Sequence, residues 1–126
     1  MLTAPAPLRR FTREDAERTL PLVQRIARDL IADFVAWRNA VEALELLGAG
    51  APSPEEAARV TGLEREAQRL AADIDHCRAE LAGLGLTCLD VAHGVVVFPS
   101  DADAGAPAGW VWQPGEPTVR PFRGPA

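Results

Sequence analysis

The sequence predicts an α+β protein: a long antiparallel two-helix hairpin followed by a small antiparallel β-sheet of three or four strands. Three observations predict it. Two apolar seams, Leu20 to Leu44 and Val60 to Leu84, run with the same 3-4-3-4-3-4-3 spacing. A break rich in Gly, Ala, Pro and Ser, from Gly48 to Ser53, separates them. After Gly85 the helical period gives way to short runs of Val, Cys, Phe and Trp bounded by turn residues. Seams held over several heptads belong to packed helices, and short β-branched or aromatic runs between turns belong to strands.

The elements follow in chain order. Residues 1–10 read as a flexible lead-in, with Pro5 and Pro7 and no apolar stretch of the secretory kind. Thr12 is an N-cap with Asp15 in the capping-box position, and Phe11 precedes it where a hydrophobic staple would reach Ala16. A short helix from Thr12 to about Arg18 is expected. Thr19 and Pro21 then predict a kink or a restart, because proline removes one hydrogen bond and crowds the preceding turn. From Leu20 the first seam runs through Val23, Ala27, Leu30, Phe34, Trp37, Val41 and Leu44. Leu22, Ile26, Ile31 and Val35 widen it beyond a bare coiled-coil stripe. Gly48, Gly50 and Pro52 end it.

Ser53-Pro54-Glu55-Glu56 is a dense helix start, with Ser53 as N-cap, Pro54 at the first helical position and Glu56 in the capping-box place. The second seam is Val60, Leu63, Ala67, Leu70, Ile74, Cys77, Leu81 and Leu84. Gly62 lies inside it, at a cost of about 1 kcal/mol against Ala, and Gly83 or Gly85 should stop it. The connection is short, so the two helices are antiparallel neighbours of roughly 40 Å each. Arg25 with Asp29, Arg38 with Glu42, and Glu55 with Arg59 are spaced for ion pairs on the solvated face.

Leu86 to Asp90 and Gly94 to Phe98 read as strands. Pro99 to Gly109 reads as a loop. Trp110 to Gln113 and Thr118 to Arg120 flank the turn Pro114-Gly115-Glu116-Pro117 and read as a hairpin. The chain of 126 residues is therefore read as one domain, with a helical part at 11–85 and a β part at 86–123.

Phe11-Thr12 with Ala16 and Leu20-Pro21, then Gly94-Val95-Val96-Val97-Phe98-Pro99, then Trp112 with Gly115-Glu116-Pro117, resemble a family of short bacterial proteins known as domain of unknown function 2203. The resemblance covers most of the chain. It implies the same fold outline and brings no activity with it. The family pattern continues into an aromatic-His segment, whereas Val119 to Gly124 contains no His.

Composition excludes several functions. All thirteen cations are Arg, and there is no Lys and no Tyr. Schiff-base chemistry, a P-loop lysine and a catalytic tyrosine are therefore excluded within this chain. A net charge of −5, with Arg residues alternating with acids, argues against nucleic acid as a partner. No apolar stretch has the length of a membrane span, so no membrane partner is expected. Two Cys in apolar settings are not a disulfide framework, and the expected location is the cytoplasm.

Three constellations carry candidate chemistry. Asp73-x-x-His76 puts a carboxylate and an imidazole on one helix face, the spacing of di-iron bundles, but those need a second such motif and two more Glu. His76, Cys77, Cys88 and His93 could in principle hold zinc, yet no pair has ligand spacing. Asp101-x-Asp103-x-Gly105 opens like a calcium loop, but Trp112 falls where a bidentate Glu is needed. A solvated helix face, a buried seam thiol and a plain loop explain these more simply. No catalytic residue, cofactor or metal is assigned; Asp73, His76 and His93 are the weak metal candidates.

The apolar stripe is wider than one partner helix covers. A second copy would bury it in an antiparallel four-helix bundle, so a homodimer is expected. Ile31 and Val35 are the interface candidates. Trp110 and Trp112 share one strand face, which is core on the first reading and an interface on the second. The favoured function is a non-enzymatic oligomeric scaffold or an interaction module for a protein partner. The alternative is a small-molecule or metal-binding protein, even an enzyme, with a pocket between helices and hairpin that uses His76 and His93.

Overall fold

Thr12 caps a helix that runs unbroken from Arg13 to Leu46 in the computed structural model, which describes residues 10–47, 50, 52–100 and 107–123. The lead-in 1–9, the motif Asp101, Asp103 and Gly105, and residues 48 and 124 lie outside the described residues. The Thr12 hydroxyl accepts from the Asp15 amide at 3.1 Å, and the Asp15 carboxylate accepts from the Thr12 amide at 3.2 Å. This reciprocal box satisfies two of the donors that a helix start leaves open.

The expected kink or restart at Thr19 and Pro21 is corrected: α1 (Arg13–Leu46) continues through Pro21. Proline forfeits the bond to the Glu17 carbonyl, but its ring faces solvent while Leu20 and Val23 on either side are buried. Burial of those two side chains outweighs one missing bond. Thr19 is not a cap; its hydroxyl donates back to the Asp15 carbonyl at 2.8 Å.

Ser53 caps α2 (Pro54–Gly83) by accepting from the Glu56 amide at 3.1 Å. Gly62 is carried inside this helix. Its end is a Schellman closure. The Gly85 amide donates to the Ala82 carbonyl and the Leu86 amide to the Leu81 carbonyl, both at 2.9 Å, with Gly85 at φ +87°. Leu81 and Leu86, the apolar pair of that motif, both enter the core. The closure thus aims the chain from α2 directly into the first strand.

The sheet is a meander, β1 (Thr87–Asp90), β2 (Val95–Pro99), β3 (Gly109–Trp112) and β4 (Arg120–Phe122), antiparallel throughout and in sequence order. Leu89 is the extra residue of a bulge between Cys88 and Asp90. Val96 pairs with Trp112 and Phe98 with Trp110, so these four side chains share the face turned to the helices. The expected final strand at Thr118–Arg120 is corrected to Arg120–Phe122, so the hairpin connection runs from Gln113 to Val119. Glu116 causes the shift, since its backbone and side chain both fold back onto Gln113 and Trp112. Val119 then turns inward and is 1% exposed before pairing begins.

The core lies at one end of the hairpin. Phe11, Leu20, Val23, Ile26 and Leu30 of the first segment meet Cys77, Leu81 and Leu86, and Val96, Phe98, Trp112 and Val119 close it from the sheet side. The seams face each other: Leu30 is 0% and Leu70 4% exposed. Beyond Leu30 in α1, however, only Ala40 is buried, and before Leu70 in α2 no residue is. The ion pairs foreseen at Arg25–Asp29, Arg38–Glu42 and Glu55–Arg59 are not those that close. Among the described residues, Arg13–Glu17, Arg18–Asp15 and Arg69–Asp73 form instead. Such exposed pairs are nearly isoenergetic with their solvated forms, so spacing alone does not select among them.

Candidate functional site

Asp29 and Asp33, one turn apart on α1, face Asp73, His76 and Glu80 of α2 across a shallow recess of about 260 Å³. Within it, Asp73 pairs with Arg69 at 3.5 Å, and His76 Nε2 lies 3.3 Å from Glu80 Oε1. The His76 side chain is 76% exposed. Asp33 has its carboxyl pushed above the usual Asp range by loss of solvent and by the neighbouring Asp73 and Asp29. The sequence motif Asp73-x-x-His76 is thus real as a shared face, but each member is already engaged along its own helix. Among the described residues, no group of three or more His, Cys, Asp and Glu is arranged to hold a metal ion.

His93 sits elsewhere, in the β1–β2 turn. Its ring Nδ1 lies 2.7 Å from Asp90 Oδ2, and its amide donates to Asp90 Oδ1 at 3.2 Å. These contacts hold the Asp90 carboxyl below the usual range. An aspartate that caps its own turn in this way is a structural device. His76 and His93 therefore do not meet in one pocket. Cys77 and Cys88 are both free thiols, on the α2 seam and on β1. Burial pushes both thiols up, which keeps them protonated and weakly nucleophilic.

The aromatic candidates divide. Trp112 is 3% exposed and belongs to the core. Trp110 is half-buried, and its indole N–H donates to the Phe11 carbonyl at 3.1 Å. Ile31 is half-buried and packs in part within the chain: a methyl added at Gly94 would come 2.7 Å from Ile31 Cδ1. Val35 is open, at 40% exposure. Near it, Phe34 and Trp37 stack at 5.9 Å between ring centres, and both rings border a recess of about 230 Å³ with Ile74 and Val91.

A larger concavity lies where a pocket between helices and hairpin is expected, but neither His76 nor His93 lines it. Gln24, Arg28 and Ile31 of α1 stand opposite Trp112 and the Pro114–Pro117 turn across a groove of about 470 Å³. Its lining is not the expected one; the sequence signal for that lining is Gln24 and Arg28 four apart, flanking the apolar stripe. Which loop lies over that flank is a tertiary fact.

These features define an α+β protein in which a four-stranded meander caps one end of a helical hairpin. A family model described as "Uncharacterized conserved protein (DUF2203)" matches residues 9–124, and the chain belongs to that family. No curated protein and no solved structure matches the chain.

Proposed function

We propose that this protein is a non-enzymatic cytoplasmic scaffold that self-associates, or takes a protein partner, through the uncovered half of its helical hairpin. One observation carries the reading. Past Leu30 the α1 seam residues Phe34, Trp37, Val41 and Leu44 are only partly buried, as are the opposing Val60, Leu63 and Ala67, and Val35 and Leu46 are 40% and 88% exposed. The sheet covers only the other end. A second copy laid antiparallel on this half would complete a four-helix bundle with two-fold symmetry. No helix among the described residues is long and apolar enough to cross a membrane, so a bilayer-spanning role for the stripe has no support.

Light scattering tests it. The wild-type chain is expected at twice its 13.5 kDa mass at micromolar concentration. Val35→Asp, at an exposed position, should shift the mass to one chain while leaving helical circular dichroism unchanged. A one-chain mass for the wild type refutes self-association. Ile31 is unsuited to this test because it already packs on Gly94.

A further inference from the structure

The groove between α1 and the Gln113–Val119 connection has three properties that together describe a guest. Its volume, about 470 Å³, falls in the range of small-molecule sites, roughly 300–1,000 Å³. Its apolar lining is Ile31 from the helix and the rings of Pro114 and Pro117, with Trp112, 3% exposed, adding little open surface. The indole N–H is already given to the Glu116 carbonyl at 2.9 Å, so Trp112 offers a guest no free donor.

The walls are also fixed in advance. The Glu116 amide donates to the Gln113 carbonyl at 3.1 Å, and the Gln113 amide donates to Glu116 Oε1 at 3.0 Å. Gly115 takes φ +97°, and Pro114 and Pro117 stiffen the turn on both sides. On the floor, Ile31 is wedged against Gly94. A site that is already ordered loses little freedom on binding.

Charge decides the chemistry of the guest. Two formally charged side chains line the groove, Arg28 and Glu116. Glu116 is neutralised by its ion pair with Arg120. Among the described residues, no carboxylate pairs with Arg28. Gln24, one turn before it, adds an amide donor to the same rim. A forked guanidinium beside an apolar slot is the complement of a carboxylate on a flat ring. We propose that this groove is a binding site for a planar aromatic carboxylate, with the acid on Arg28 and Gln24 and one face of the ring laid against Ile31, Pro114 and Pro117. The groove adjoins the helical surface assigned to self-association, Ile31 and Val35 being one turn apart, but mass and indole shifts are read separately, so either proposal can fail without the other.

The probe is 2-naphthoate, with 2-naphthalenemethanol as its uncharged counterpart, titrated into the full chain and followed by nitrogen–proton NMR. Naphthoate should shift the Trp112 indole and Gly115 amide signals to saturation, with affinity about tenfold above the alcohol. Arg28→Gln, an exposed position, should remove that difference, and Arg28→Lys should keep part of it. No saturable shift at Trp112 and Gly115 with millimolar probe overturns the proposal. So do equal affinities for acid and alcohol, an unaffected Arg28→Gln variant, or shifts confined to Trp37.

Discussion

The Trp110 indole N–H donates to the Phe11 carbonyl at 3.1 Å, across 99 positions of sequence. The Phe11 amide in turn donates to the Pro99 carbonyl at 2.7 Å, and its ring meets Phe98 edge-on at 5.4 Å between centres. The residue ahead of the first helix is therefore bound to β2 through its amide and to β3 through its carbonyl. The N-terminal end of α1 is anchored by this clasp as well as by its cap.

Trp110→Phe removes the donor and keeps an aromatic ring at this position of β3. The expected cost is about 1 kcal/mol, the net worth of one such bond. Phe11→Ala opens a cavity in the core and should cost about 3–5 kcal/mol. Urea unfolding of the two variants separates the contributions. Equal losses would mean that the hydrogen bond carries the clasp.

Two glycines should respond to alanine with opposite signs. At Gly62 an added methyl meets nothing within 4 Å, so Gly62→Ala should stabilise the chain by about 0.5–1 kcal/mol through helix propensity. At Gly109 the methyl would lie 2.6 Å from the Phe98 carbonyl oxygen, a backbone atom fixed by strand pairing. Gly109→Ala should destabilise by about 1–3 kcal/mol. Thermal melts of both variants check the signs.

Much of this architecture is legible in the sequence, because it rests on local physics. The two seams, the Thr12 and Ser53 caps and the glycine stop after Leu84 are all short-range patterns, and each appears at the expected residues, although the Glu56 side chain does not close the box at Ser53. The failures share one cause. Pro21 signals a break that distant burial of Leu20 and Val23 overrides. The last strand starts late because Glu116 turns back on Trp112, a contact set by the loop's own tertiary setting. The His76 and His93 pairing fails because no residue spacing tells which turn of the sheet lies beside which turn of α2. The groove lies in the expected place between helices and hairpin, but its lining by Arg28 is hidden for the same reason.

Asp33 sets a pH dependence. Its folded pKa is raised, chiefly by lost solvation and then by Asp73 and Asp29, so the native state binds this proton more tightly than the unfolded chain does. Its contribution to stability is present below the ordinary Asp value of 3.8 and is lost as pH rises through the folded pKa. Asp33→Asn should therefore melt higher than the wild type at neutral pH. The advantage should vanish in acid. A variant less stable at neutral pH would show that the Asp33 charge is compensated in the recess.

The thiols give a further check. Burial raises both, so iodoacetamide at neutral pH should label the folded chain at least about tenfold more slowly than the urea-unfolded chain. Cys77, 7% exposed, should lag the half-buried Cys88. Faster labelling of either than in the unfolded chain would reveal an activating neighbour.

The one-sided placement of the core has a mechanical consequence. An α1 of 34 residues is about 50 Å long, yet its anchoring side chains, Ala16 to Leu30, occupy roughly its first half. Amide protons should therefore exchange along a gradient. Those near Val23 and Leu81 should open only with global unfolding, while those near Leu44 and Val60 should open through fraying of the hairpin tip. The tip is a cantilever, and whatever grips it sets the stiffness of the free half. An occupied tip would turn the gradient into a single cooperative unit, so protection at Leu44 would report occupancy directly.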